Sequence, residues 1–132
     1  MKKNDTKSKL KFSVLVAEDD QFYVDLFQTK LKEAGIDVAV AKDGKETMKT
    51  LHTKKPDLLI LDILMPVMDG YEVLEAMKKN EKLKDVKIVV LTNLGANGET
   101  AKKVKKLGAD EYIIKANISI EEMVNRVKAY LK

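Results

Sequence analysis

The chain has 132 residues, 45% of them apolar and 35% charged, with a net charge of +4 and no cysteine. That length and balance suit one globular domain with a substantial core and exclude a disordered chain. The missing cysteines exclude disulfides, thiolate zinc sites and cysteine nucleophiles, and fit a reducing compartment.

The charge is unevenly placed. Residues 1–11 hold Lys2, Lys3, Lys7, Lys9 and Lys11 against Asp5, while residues 12–132 hold 20 basic and 20 acidic groups and are neutral. We read residues 1–11 as a flexible basic tail and residues 12–132 as the domain. Weak attraction to nucleic acid or membrane is the other reading of the tail. The N-terminus lacks the apolar middle of a signal peptide, and no run of about 18 apolar residues is present to span a membrane. A cytoplasmic protein is expected.

Short apolar runs alternate with amphipathic stretches. Phe12 to Ala17 (FSVLVA) reads as a buried strand. Tyr23, Val24, Phe27, Leu31 and Ala34 recur at helical spacing, and Gly35 fits a stop. Ile36 to Ala41 (IDVAVA) alternates like a strand. Asp43 with Glu46 predicts the cap of a second helix, which Lys54, Lys55 and Pro56 end. Asp57 to Leu61 (DLLIL) is the most apolar strand and leads into Asp62. Asp69 caps a helix carrying Tyr71, Leu74 and Met77. Val86 to Leu91 (VKIVVL) is a fourth strand leading to Thr92. Ala101, Val104 and Leu107 line a fourth helix closed by Gly108. Glu111 to Ile114 (EYII) is a short fifth strand leading to Lys115. Ser119 with Glu122 reads as a capping box, and Ile118 can staple onto Met123. Ile120, Met123, Val124, Val127 and Leu131 then form the inner face of the last helix.

Five strand–helix units imply an α/β fold with a parallel sheet covered on both faces. Right-handed crossovers leave few topologies, and the expected one is a doubly wound, flavodoxin-like sandwich with strand order 2-1-3-4-5. Ligands of such sheets sit beyond the carboxyl ends of the strands. There the sequence places Glu18, Asp19 and Asp20 after strand 1, Asp62 after strand 3, Thr92 after strand 4 and Lys115 after strand 5. Converging carboxylates repel, and a hard divalent cation such as magnesium removes the repulsion. Lys115 supplies a compact positive charge and Thr92 a hydroxyl for a phosphoryl oxygen. The set fits phosphoryl transfer to an aspartate. Each position alone has a structural reading, and Asp20 reads as a helix cap. Four on one rim point to a phosphate or magnesium site.

VLVAEDD, LLILDILMPVMDG, VVLTN and YIIK together resemble the successive signatures of the receiver domains of two-component response regulators, over about residues 12–131. The resemblance implies that Asp62 is the phosphoacceptor. It implies that Glu18, Asp19, Asp62 and the backbone carbonyl of Leu64 hold Mg2+, and that Thr92 and Lys115 contact the phosphoryl group. Tyr112 stands at the place of the family's aromatic switch residue, which turns inward as the Thr moves toward phosphate. Packing against the sheet is the other reading of Tyr112. Pro66 and Gly70 match the loop after the acceptor.

Two positions depart from the pattern. Ala116 follows the Lys where the family usually has Pro, joined by a cis bond, and Asn93 stands where a small residue is commoner. A cis Lys115–Ala116 peptide is the expectation, because it aims the lysine at the phosphate, although cis costs about 2.5–4 kcal/mol without proline. Elsewhere, His52 reads as surface, Met65 and Met68 as packing, and Lys102, Lys103, Lys105 and Lys106 as a solvated outer face, or alternatively as a dock for an acidic partner.

The expected function is a stand-alone phosphorylation switch rather than an enzyme with a separate substrate. It would assist its own phosphoryl transfer and dephosphorylation. Its donor would be a histidine kinase or histidine phosphotransfer protein. Its output would be a protein target on the helix 4–strand 5–helix 5 face, without direct DNA binding and without a membrane. A magnesium-dependent phosphatase resembling the haloacid dehalogenases would want an acid two residues after the nucleophile, where Leu64 stands. A pure interaction module that has lost phosphorylation is the third reading, against which the set of Asp62, Thr92 and Lys115 argues.

Overall fold

The computed structural model describes residues 11–95 and 98–131. The expected tail lies almost wholly outside them; its last residue, Lys11, is exposed and pairs with Asp37 at 3.3 Å. Five strands, β1 (Ser13–Ala17), β2 (Asp37–Ala41), β3 (Leu58–Leu61), β4 (Lys87–Thr92) and β5 (Glu111–Ile114), form one sheet in the order β2-β1-β3-β4-β5. All four pairings are parallel. Five helices connect and cover them: α1 (Gln21–Glu33), α2 (Gly44–Thr53), α3 (Gly70–Lys78), α4 (Glu99–Lys106) and α5 (Ile120–Ala129). This is the expected doubly wound sandwich.

Strand periodicity divides the core into two layers. Leu15, Ala17, Leu59, Leu61 and Val90 face one side, with Leu51, Leu74 and Val104 from α2, α3 and α4. Val14, Val16, Leu58, Ile60, Val89 and Leu91 face the other, with Phe27, Leu31, Met123 and Val127 from α1 and α5. Both faces of β3 are therefore buried, which is why LLIL shows no polar alternation. Each of the Val, Leu, Ile, Phe and Met side chains among them contributes about 1.5–3 kcal/mol on burial.

The helices start where the capping residues say. Asp20, Asp43 and Ser119 each accept a backbone N–H from the first turn, at 3.0, 2.7 and 3.1 Å. Asp69 and Glu72 form a reciprocal capping box. Only the serine half of the expected Ser119–Glu122 box is described. Ile120, expected on the inner face of α5, is instead 38% exposed. It sits in the first turn, before the helix reaches the sheet, and Ile118 packs against that core layer. His52 and the four lysines of α4 are exposed, while Met65 and Met68 pack against the core. Among the described residues no helix is long and apolar enough to cross a membrane.

The loop from β3 to α3 is wound tightly. Gly70 N–H returns to the Ile63 carbonyl at 2.9 Å, and a Cβ at Gly70 would stand 2.7 Å from the Asp62 carbonyl oxygen. Inside it, Met68 N–H reaches the Pro66 carbonyl at 2.7 Å across Val67, whose φ is 71°. A β-branched residue is unfavourable in that region, and Val67 is 76% exposed with little packing to offset the strain. Val67→Gly is expected to raise stability by about 1 kcal/mol, the left-handed penalty less the added chain entropy of glycine. Urea unfolding of the two proteins checks this; an equal or lower midpoint for Val67→Gly would remove the strain argument.

Candidate functional site

Strand register assembles the rim. Ala17 of β1 pairs with Leu61 of β3, so the next residues, Glu18 and Asp62, leave the sheet side by side. Asp62 N–H extends the ladder to the Ala17 carbonyl at 3.0 Å, and Glu18 N–H reaches the Ala41 carbonyl at 3.0 Å. On the other flank Leu61 pairs with Val90, two residues before Thr92, and Thr92 pairs with Ile114, one residue before Lys115. The ends of β1, β3, β4 and β5 thus present the expected residues along one edge.

Three of them are charged and buried: Glu18, Asp62 and Lys115 are 3%, 5% and 6% exposed. Lys115 Nζ lies 2.6 Å from Glu18 Oε1 and 3.1 Å from Asp62 Oδ2, and 4.2 Å from the Tyr23 ring centre. The other carboxylate oxygens are also held. Glu18 Oε2 accepts Asp20 N–H at 3.0 Å, and Asp62 Oδ1 accepts Leu64 N–H at 3.1 Å. Burial pushes the Glu18 carboxyl up to about 7, with the Asp62 charge adding to the rise and the Lys115 hydrogen bond opposing it. Burial also works against the Lys115 charge, but the Glu18 hydrogen bond and the Asp62 charge outweigh it and raise the lysine above its ordinary value.

Carboxylate oxygens of Glu18, Asp19 and Asp62 all lie within 4.8 Å of one another. Asp19 is exposed, so the cluster opens to solvent there. Three carboxylates against one lysine leave two formal negative charges, and all the side-chain donors are oxygens. That balance fits a hard divalent cation.

Thr92 is fully buried, and its Oγ1 accepts Leu94 N–H at 3.3 Å. Tyr112 is half-buried and turned toward the same segment: its hydroxyl meets the carbonyl oxygens of Leu94 and Gly95 at 2.6 and 3.1 Å. Gly95 has φ 97°, and a Cβ there would stand 2.2 Å from Thr100 Cβ and 2.6 Å from the Tyr112 oxygen. Sequence reasoning did not single out Gly95. It placed Tyr23 on a helix face without its lysine. The helical spacing of Tyr23 was visible, but not its partner 92 residues away.

The expected cis peptide is absent. No peptide bond among the described residues is cis, and Lys115 meets Glu18 and Asp62 nonetheless. After β5 the chain turns through a 3-10 segment, Lys115–Asn117, and Ala116 N–H donates to Asn93 Oδ1 at 3.0 Å. A trans bond therefore suffices to aim the lysine, and the family geometry does not carry over at this peptide.

Comparison with known proteins agrees with this geometry. The chain belongs to the response regulator receiver domain family, whose description matches residues 14–128. Receiver domains of this family work as phosphorylation-dependent signalling switches in two-component systems, and so does this one. Over 121 residues the chain is 39% identical to the alkaline phosphatase synthesis transcriptional regulatory protein PhoP of Bacillus subtilis, covering 90% of this chain and 48% of PhoP. Among solved structures, the Francisella response regulator 1452 receiver domain superposes with a TM-score of 0.80 at 33% identity, covering 91% of this chain and 96% of the other. The Mn(2+)-bound form of response regulator Rcp1 gives 0.80 at 27% identity, covering 89% and 92%. The chain spans about half the length of the curated relatives it matches.

A cation entering this cluster must displace the proton that burial favours on Glu18. Any affinity of the cluster for a divalent cation is therefore expected to be greatest above about pH 7 and to fall by up to about tenfold per pH unit below it. Isothermal titration with magnesium at pH 6, 7 and 8 measures this. An affinity independent of pH across that range would mean that Glu18 keeps its charge without the metal.

Proposed function

We propose that Asp62 is the phosphoacceptor of this receiver domain. The observation that carries the reading is the Asp62 carboxylate at the end of β3, 3.1 Å from a buried lysine and clustered with Glu18 and Asp19. In the transfer a carboxylate oxygen of Asp62 bonds to phosphorus while the bond from phosphorus to the donor's leaving atom breaks. The leaving group takes the electron pair. The donor is the phosphohistidine of a histidine kinase or of a histidine phosphotransfer protein. Lys115 neutralises the phosphoryl oxygens, and the Thr92 hydroxyl donates to one of them. Glu18, Asp19, Asp62 and the Leu64 carbonyl hold Mg2+, which when bound offsets the charge of the carboxylates and of the transferring group. Attack of water on phosphorus later regenerates the carboxylate, so the domain assists its own dephosphorylation as well.

The switch follows from the tethers. Thr92 accepts from Leu94, and Tyr112 holds the carbonyls of Leu94 and Gly95. Drawing Thr92 toward phosphate shifts that segment, and Tyr112 carries the shift to β5 and the α4–β5–α5 face. A protein target on that face reads the change, and the exposed lysines of α4 favour an acidic one. The reading includes a cytoplasmic location, an output through protein contact rather than DNA, and no membrane attachment. Leu64, exposed and apolar two residues after Asp62, tells against the phosphatase alternative.

Asp62→Asn keeps size and hydrogen bonding but removes the nucleophile. It is expected to gain no phosphate from acetyl phosphate and magnesium in Phos-tag electrophoresis, where the unaltered protein shifts. Asp19→Ala, or excess chelator, is expected to abolish the shift as well. A shifted Asp62→Asn band would refute the assignment.

The phosphorylated form is expected to be long-lived. Leu64 and Leu94 stand two residues after Asp62 and Thr92, and neither can orient an attacking water. A half-life of minutes or longer should shorten when Leu64 is replaced by Asn or Glu. A half-life of seconds that Leu64→Ala lengthens would contradict the shielding role.

A further inference from the structure

Lys115 is the only buried lysine among the described residues, yet it stands on an exposed turn: Ala116 and Asn117 are open to solvent. The turn has no side-chain cap at its start. A lysine stem has many rotamers, so delivering its ammonium to Glu18 and Asp62 requires that its Cα be aimed. The contact that crosses to this turn from the neighbouring strand end is Ala116 N–H to Asn93 Oδ1, at 3.0 Å. Asn93 directly follows Thr92.

We propose that Asn93 is a positioning residue for Lys115. Its carboxamide oxygen fixes the Ala116 amide and so sets the direction in which residue 115 enters the crevice. The pair is complementary: position 93 offers an acceptor, and position 116 offers an N–H that proline would lack. Because Asn93 is joined to Thr92, one backbone segment carries the hydroxyl and aims the ammonium. Displacement of Thr92 is thereby felt at Lys115 as well as at Tyr112. The inference rests on Asp62 as phosphoacceptor for its role in transfer, but the aiming itself is a property of the resting chain.

A merely local role would cap one exposed amide that water could serve as well. The two roles separate in a four-protein comparison of the unaltered chain, Asn93→Ala, Lys115→Ala and the double variant. Phosphorylation rate constants are measured with acetyl phosphate and magnesium, after thermal unfolding has shown all four to be folded. Asn93→Ala is expected to slow the unaltered chain about fivefold, the worth of one net hydrogen bond. It should change nothing further in the Lys115→Ala background. Equal slowing in both backgrounds, or none in either, would overturn the proposal.

A second readout does not depend on phosphate. By NMR, the Ala116 amide is expected to exchange with water about fivefold faster in Asn93→Ala, and the Lys115 ε-carbon resonance should move. If both stay in place, the proposal fails even if Asp62 is phosphorylated normally. If the unaltered chain takes no phosphate, the functional reading fails, and these resonances alone decide the positioning role.

Discussion

The buried Lys115 ammonium between Glu18 and Asp62 is the interaction on which the rest depends. Those carboxylates leave adjacent strands at the same level, because Ala17 and Leu61 are in register. Without a cation between them, both would be buried, charged and mutually repelling. Removing one partner of such an ion pair typically costs about 3–5 kcal/mol, because the other is left uncompensated. Lys115 meets that demand only in part. Burial still pushes Glu18 up to about 7, and Asp19 adds a third carboxylate at the solvent edge. The fold thus holds a site in deficit of positive charge, and such a site has work for a divalent cation and for the lysine facing it.

The same rim is connected sideways. β4 ends in Thr92, and the residues that follow are gripped from β5 on two sides. Tyr112 holds the carbonyls of Leu94 and Gly95, and Asn93 holds the amide of Ala116. Farther out, the Tyr71 and Thr100 hydroxyls meet at 3.2 Å, and Lys103 lies 4.0 Å from the Tyr71 ring centre, tying α3 to α4. These contacts set the ends of β4 and β5 beside the α3–α4 pair, within the part of the domain that the proposed switch would use.

Much of this was legible in the sequence because the sheet is parallel and covered on both sides. Near-continuous apolar runs marked the strands, capping residues marked the helix starts, and the fold rule then placed Glu18, Asp19, Asp62, Thr92 and Lys115 on one edge. Geometry internal to a loop was less legible. The trans Lys115–Ala116 peptide was missed although Ala116 itself favours trans, because the reach of the lysine had been tied to a cis bond, and the Asn93 bond that accompanies the trans form joins residues 23 positions apart. The positive φ of Val67 has no signature in a valine, and Ile120 matched the helical period while lying in a turn that the sheet does not cover. Periodicity reports which face an element buries; it does not report where along the element burial begins.

The most direct measurement is chemical location of the phosphate. The chain is incubated with acetyl phosphate and magnesium, treated with borohydride to reduce any acyl phosphate to the alcohol, and mapped by peptide mass spectrometry. The expected result is homoserine at residue 62 alone, and none when magnesium is chelated. Reduction at Glu18 or Asp19 instead, or a phosphorylated protein in which residue 62 remains aspartate, would contradict the assignment on which the mechanism stands.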